Sequence, residues 1–231
     1  MKIVFMLLAA VLSAASQVVL AAPPARVEIR FEIVTGRMKL GEGRHVLEHD
    51  GSRYQVLNES TPTGIAAWFI KDVQSVSRGR VTKAGLKPDS YAESGRKGGR
   101  REASFDWTQH RLTMTYDGEQ TIEALPPDAL DAASFPYGFA FDAPASEKFT
   151  AHITDGKKLK EYEYRLVGRE TLSTPMGDLN TMHFEKVRDA DDKRGFEFWL
   201  AIERHYLPVR LRYIEKDGRP FDSNVVAIQY K

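Results

Sequence analysis

The chain has 231 residues, of which 33 are basic and 32 are acidic, and it contains no cysteine. The absence of cysteine excludes disulfide bonds, thiolate metal sites and a cysteine nucleophile. The nearly balanced charge argues against nucleic acid as a partner, because nucleic-acid-binding domains normally carry an overall basic excess.

The first 21 residues have the pattern of a secretory signal peptide. Lys2 precedes an apolar run from Ile3 to Ala15, and the stretch ends with the small residue Ala21. This pattern predicts cleavage near Ala21 and a periplasmic or secreted protein. Residues 22–231 would then form a single β-rich domain. An uncleaved membrane anchor is the alternative, although polar residues interrupt the apolar run.

Alternating apolar and charged residues follow from Val27 onward. Val27, Ile29, Phe31 and Ile33 alternate with Glu28, Arg30 and Glu32. Similar alternation recurs within residues 161–166, 196–200 and 209–213. A period of two residues is typical of strands with one buried face, so the pattern predicts a chain built mostly of strands.

Turn signals separate these runs at short intervals. They are Asp50-Gly51, Asp117-Gly118, Asp155-Gly156, Pro175-Met176-Gly177-Asp178 and Asp217-Gly218. Asp-Gly pairs provide the positive backbone angles of tight hairpin turns. They therefore predict a meander of antiparallel strands.

One short segment has a helical pattern. Pro127 and Asp128 precede an alanine-rich stretch that ends at Ser134, and Pro136 would stop a helix there. Asp128 would lie in the positive N-terminal end of that helix. We predict that this helix acts as a lid or plug on the sheet.

Together these patterns predict an all-β, mainly antiparallel fold. Twist accumulates in a long sheet, so it should curve into an open or half barrel, with a sandwich as the alternative. We expect the concave face to bind a ligand through Trp68, Phe105, Trp107, Tyr162, Tyr164 and Trp199. Phe198 and Trp199 must point to opposite faces because they are adjacent on a strand.

A strongly basic stretch, Gly95–Glu102, reads GRKGGRRE and contains Arg96, Lys97, Arg100 and Arg101. It lies between two predicted strands, so we interpret it as a hairpin turn. A phosphate-binding loop would lead into a helix, and no helical pattern follows. The four cations could instead form a rim that contacts anionic lipid headgroups or polysaccharide.

The sequence gives little support for a metal site or for hydrolytic catalysis. His45 and His49 lie four residues apart on a strand, roughly 13 Å, too far to share one metal ion. The run Asp189–Gly195 lacks the closing glutamate of a calcium loop. Hydrolase motifs are missing, and Glu161, Glu163 and Glu170 suit a solvated strand face better than an acid/base pair. We therefore expect neither an enzyme nor a cofactor.

Three stretches carry a family resemblance. They are Gly85–Tyr91 leading to Ala103–Trp107, then Val167–Gly177, and Trp199–Ala201 followed by Tyr206–Arg210. In order and spacing the chain resembles the bacterial exported proteins of the domain of unknown function 3108 family. The resemblance implies an envelope protein with a curved antiparallel sheet, and it transfers no catalytic residue.

These observations lead to three functional hypotheses. The first is a carrier or binding module for a lipid or other amphipathic envelope molecule. The second is an assembly protein that binds a protein partner through a sheet edge or charged face. The third is a glycan hydrolase that uses a carboxylate pair. The interior should discriminate between the first two, because a carrier needs an apolar cavity of several hundred Å³.

Overall fold

A computed structural model describes residues 23–69, 71–95, 99–189 and 192–231. Within them the strands are β1 (Arg26–Thr35), β2 (Met38–His49), β3 (Arg53–Pro62), β4 (Val73–Thr82), β5 (Gly85–Ser94), β6 (Arg101–Asp106), β7 (Arg111–Tyr116), β8 (Glu119–Ala124), β9 (Leu130–Asp131), β10 (Lys148–Thr154), β11 (Leu159–Thr174), β12 (Gly177–Lys186), β13 (Gly195–Ala201), β14 (Leu207–Ile214) and β15 (Pro220–Tyr230). The helix α1 spans Phe135–Gly138, and 3-10 turns span Gly64–Trp68 and Ile202–Arg204. The predicted signal peptide lies outside the described residues.

All of these strands belong to one sheet, in the order β8-β7-β6-β5-β4-β3-β2-β1-β15-β14-β13-β12-β11-β10-β9. Neighbours in the sheet are therefore neighbours in sequence, except where β1 pairs with β15. The pairs are antiparallel apart from β9 with β10. The predicted all-β fold and meander are confirmed.

The local sequence explains both the strands and their turns. Val27, Ile29 and Phe31 are almost fully buried on one face of β1, as the alternation predicted. Gly51 and Gly218 adopt φ values of 87° and 84° in the β2–β3 and β14–β15 turns. Glycine reaches these angles without the steric penalty that a side chain would impose.

The sheet curls until its two ends meet through side chains rather than through strand pairing. Arg101 donates to the Asp155 carboxylate at 2.9 Å, and Lys157 lies 4.0 Å above the Tyr116 ring. Thr154 also donates to the sulfur of Met114. These contacts link β6 and β7 to the β10–β11 turn. The sheet is consequently an open barrel, as expected.

The segment 125–141 fills the interior, which agrees with the predicted plug, but the predicted helix is misplaced. Residues 127–134 form turns and the short strand β9, and the helix begins only at Phe135. Asp131 prevents the earlier helix because its carboxylate accepts the backbone N–H groups of Ala133 and Ser134. Pro136 lies in the first turn of the helix, where proline is tolerated.

Three hydrophobic clusters pack around this segment. The first contains Tyr137 with residues of β1–β3 and β13–β15, and the second contains Phe135 and Phe198. The third joins Leu125, Ala129 and Ala133 to β5–β7. The concave side is thus occupied by the chain's own side chains.

Among the described residues, no helix is both long and apolar enough to cross a membrane.

A buried histidine fixes the plug to the sheet. His45 on β2 hydrogen-bonds through Nδ1 to the Tyr137 hydroxyl at 2.6 Å and packs against Phe31. Burial lowers the pKa of His45 to about 3. His45 is therefore neutral at physiological pH, and its role is structural.

Acidification should destabilise the protein through His45. The unfolded pKa is near 6.5 and the folded pKa is lower, so the stabilisation is complete above pH 6.5 and is lost as pH falls towards 3. We expect a slope of about 1.4 kcal/mol per pH unit from this residue. Urea unfolding at pH 7.5 and 5 should show a smaller pH effect for His45→Gln. Equal slopes in the wild type and in His45→Gln would contradict the prediction.

Candidate functional site

Strand alternation places seven connections at one end of the barrel, which we call the basic end. They are the segments 36–37, 63–72, 95–100, 117–118, 155–158, 187–194 and 215–219. Adjacent connections touch: Thr35 donates to the Pro220 carbonyl, and a Cβ atom at Gly95 would collide with the backbone of Asp72. The described parts of these connections form a rim around the barrel.

A cleft of about 700 Å³ opens in this rim between the β10–β11, β12–β13 and β14–β15 connections. Most of its lining side chains are cationic. Among the described residues, the basic cleft is lined by Lys158, Lys160, Lys186, Lys193, Arg194 and Lys216, together with Asp192, Asp217 and Tyr162. Six cations against two carboxylates make it a candidate anion-binding site.

Ion pairs organise part of the cleft. The largely buried Lys186 donates to Asp192 at 2.7 Å and lies 5.2 Å from the Tyr162 ring centroid. Burial and the positive charge of Lys160 lower the pKa of Lys158, against the opposing effect of Asp155. A bound anion would relieve this crowding of positive charge.

The basic stretch borders the same end, but only part of it can be placed. Residues 95–100 connect the antiparallel neighbours β5 and β6, which confirms the predicted hairpin. Arg96 and Lys97 lie outside the described residues. Arg100 is 69% exposed and pairs with Glu102. Arg101 does not extend into solvent, because its side chain is 15% exposed and binds Asp155.

Trp68 does not lie on the concave face where the sequence placed it. It is 86% exposed in the 3-10 turn between β3 and β4. The hydrophobicity of Trp68 gave no information about which side of the sheet its connection would occupy. The predicted position of Trp68 on the concave face is therefore wrong.

The remaining five aromatic candidates are distributed among separate packing clusters. Phe105 and Trp107 stack at 5.9 Å beside the third cluster, and Tyr162 and Tyr164 join the second. The Trp199 ring stacks on the His183 ring, with their centroids 3.9 Å apart, and the Arg210 guanidinium lies over the Trp199 ring. Tyr164, Phe105 and Trp199 are buried by neighbouring protein atoms. Of these five aromatic residues, Tyr162 alone lines the basic cleft.

The three glutamates considered as catalytic groups bind separate partners. Glu161 contacts His152 at 3.2 Å, and Glu163 contacts Lys148 at 3.0 Å. Glu170 accepts a hydrogen bond from the Trp199 indole. Within the part of the chain that the structure describes, no group of three or more potential His or carboxylate ligands could hold a metal ion.

Sequence reasoning missed the basic cleft because its cations come from three distant connections. The available signal was the recurrence of basic residues in alternate connections, at 157–160, 193–194 and 216. Counting strands in the meander would have placed these connections at the same end. Each connection contributes only one or a few cations, so no dense basic motif marks the cleft in the sequence.

Sequence comparison matches residues 28–223 to a family model described as a protein of unknown function, DUF3108. The chain belongs to the DUF3108 family. The segments that carry the family resemblance contact one another. In this DUF3108 protein the Trp107 indole N–H donates a hydrogen bond to the Pro88 carbonyl at 2.7 Å. Trp199 likewise meets both Glu170 and Arg210. These contacts join different parts of the sheet, so the segments have an architectural role in the fold.

Solved structures extend the comparison. This DUF3108 chain is similar to a β-barrel-like protein of domain of unknown function 1849 from Brucella abortus, with 8% identity and a TM-score of 0.59. The match covers 91% of this chain and 100% of that chain, and it shows a shared fold. A putative lipoprotein from Parabacteroides distasonis gives 11% identity, 90% and 96% coverage and a TM-score of only 0.36. No curated protein matches the DUF3108 chain in sequence.

Proposed function

We propose that the protein is a non-catalytic binding module of the bacterial envelope that recognises the anionic headgroup of an amphipathic molecule. The observation that carries the proposal is the basic cleft, with its six cations and two carboxylates among the described residues. Its volume of about 700 Å³ is within the range of small-molecule sites, roughly 300–1,000 Å³.

The composition of the cleft favours an amphipathic anion over a simple ion. Tyr162 is half-buried and provides an aromatic surface beside the ammonium group of Lys186. Lysines at the rim of the cleft offer flexible donors for phosphate oxygens. A phosphate group could therefore bind the lysines while the adjoining apolar part of the ligand contacts the tyrosine ring.

The filled interior counts against a carrier that encloses its ligand inside the barrel. Phe135, Tyr137 and Phe198 occupy the concave side and pack in the first and second clusters. Removing them would expose apolar surface to water. Headgroup recognition at the rim requires no such rearrangement, so the basic cleft rather than the interior is the proposed site.

Isothermal titration with dihexanoyl phosphatidylglycerol, kept below its micelle concentration, tests this function. We expect binding of this lipid and much weaker binding of dihexanoyl phosphatidylcholine. The triple variant Lys158→Gln, Lys160→Gln and Lys193→Gln should bind on the order of 100-fold more weakly, because each basic residue near an anionic group contributes about 1 kcal/mol. Inorganic phosphate alone should bind more weakly than the lipid.

A matched control changes the same charge at the opposite end of the barrel. Lys83, Lys148 and Lys231 lie there, and their replacement by glutamine should leave lipid binding unchanged. Equal losses in both triple variants would show that only net charge matters and would refute the site. Phosphate binding as tight as lipid binding would refute recognition of an amphipathic molecule.

A further inference from the structure

The connection between β3 and β4 exposes three large apolar side chains. Ile65 is 82% exposed, Trp68 is 86% exposed and Phe69 is 72% exposed. The 3-10 turn that contains Ile65 and Trp68 buries none of its residues. Surfaces of soluble proteins carry isolated apolar residues, but contiguous exposed aromatic residues usually mark a binding surface. We call Ile65, Trp68 and Phe69 the apolar tip.

The apolar tip belongs to the basic end of the barrel. The Thr63 N–H donates to the Leu40 carbonyl at 2.9 Å, which fixes the start of the connection against β2. Its far side lies against Gly95, where the backbone of Asp72 leaves no room for a Cβ atom. Lys71 is exposed in the same connection, and Arg37 is exposed in the β1–β2 connection at the same end of the barrel. The tip is therefore held in place on the same rim as the basic cleft.

We propose that the apolar tip inserts into the interfacial layer of an anionic lipid bilayer, with the basic end of the barrel facing the headgroups. Tryptophan prefers the membrane–water interface because its ring is apolar and its N–H can still bond to water or headgroups. Basic residues on the same rim complement an anionic surface. The apolar tip and the basic residues face the same membrane surface, because strand alternation places both at one end of the barrel.

The exposure of the tip favours a bilayer over a protein partner or a second copy of the chain. Its three side chains are 72–86% exposed, so a rigid partner would need a matching pocket for each. A fluid interface accommodates projecting side chains without shape complementarity. The residues of the tip are separate from those of the basic cleft, so this inference does not rest on the proposed function.

Vesicles of equal parts phosphatidylglycerol and phosphatidylcholine with brominated acyl chains test the insertion. We expect quenching of tryptophan emission on binding, because bromine quenches only at short range. Of the other two tryptophans, Trp199 is buried, and Trp107 is half-buried in the β6–β7 connection at the opposite end of the barrel. Trp68→Phe should bind the vesicles but lose most of the quenching. Trp68→Ser with Phe69→Ser should reduce vesicle partitioning on the order of 100-fold or more, since the variant loses both aromatic side chains that the interface would bury.

Ile122→Ser provides the matched control, because Ile122 is 59% exposed on the edge strand β8. This variant should partition like the wild type. The double variant at the tip should still bind soluble dihexanoyl phosphatidylglycerol, which separates this inference from the function of the cleft. Unchanged partitioning of the double variant would overturn the proposal. So would a solution dimer that the same double variant dissociates.

Discussion

Phe198→Ala should reduce the free energy of unfolding by about 3–5 kcal/mol, the usual range for a buried phenylalanine replaced by alanine. Phe198 is fully buried, and its ring lies 5.4–5.7 Å from five other aromatic rings among the described residues. These belong to Phe135, Phe139, Tyr164, Phe184 and Phe196. The substitution removes the centre of the second cluster and leaves a cavity between the plug and the sheet.

Urea unfolding followed by tryptophan fluorescence measures this loss. Phe69→Ala is the matched control, because it removes the same side chain from a position that is 72% exposed. We expect its stability to stay within about 0.5 kcal/mol of the wild type. Similar losses for the two variants would contradict the central position of Phe198 in the core.

Asp131→Ala should reduce stability by a similar amount, about 3–5 kcal/mol, because several buried donors lose their acceptor at once. One carboxylate oxygen accepts the N–H groups of Ala133 and Ser134, each at 2.9 Å. The other accepts the hydroxyls of Ser77 at 2.6 Å and Ser134 at 2.9 Å. Ser77 in turn bonds to Tyr54. This network attaches the plug to β3 and β4.

Asp131→Asn should be far less destabilising, since the amide oxygen can still accept the two backbone N–H groups. Burial raises the pKa of Asp131, although its hydrogen bonds oppose the shift. The associated stability is therefore complete below the unfolded pKa of about 3.9 and decreases as pH rises through the higher folded value. The amide of the variant does not titrate, so the stability of Asp131→Asn relative to the wild type should improve from pH 4 to pH 8. A constant difference across this range, measured by urea unfolding, would contradict the expected titration.

The strands and hairpins were predictable because their signals are local. Alternation in β1 and the Asp-Gly pairs each act over a few residues, and the sequence of alternating strands then leads to a meander. The helix was not predictable in position, because the buried Asp131 carboxylate accepts a hydrogen bond from Ser77 on β4, and this long-range contact competes with local helical preference. Ser77 lies 54 residues away in sequence.

Two register shifts interrupt the alternating pattern in strands that carry aromatic residues. The register shifts between Leu166 and Gly168 and between Trp199 and Leu200. Each bulge changes which side chains follow the inward face and increases the local twist. The different environments of Tyr162 and Trp199 do not require a bulge, because Tyr162 lies on the same face as Phe198, and Trp199 follows Phe198 directly and points to the other face. The basic cleft depends on the three-dimensional meeting of three connections.

The pairing of β1 with β15 has a consequence for assembly. Every other antiparallel contact joins consecutive strands, whereas Val27 and Tyr230 pair across roughly 200 residues. The chain thus consists of two meanders, β1–β8 and β10–β15, each able to grow from local contacts, with the plug as the tether between them. Because closing a long loop carries a larger entropy penalty than closing a hairpin, docking of the two halves should follow their separate formation. The two halves thus meet like the subunits of a dimer: β1 pairs with β15, the plug packs between them, and β6 and β7 contact the β10–β11 turn.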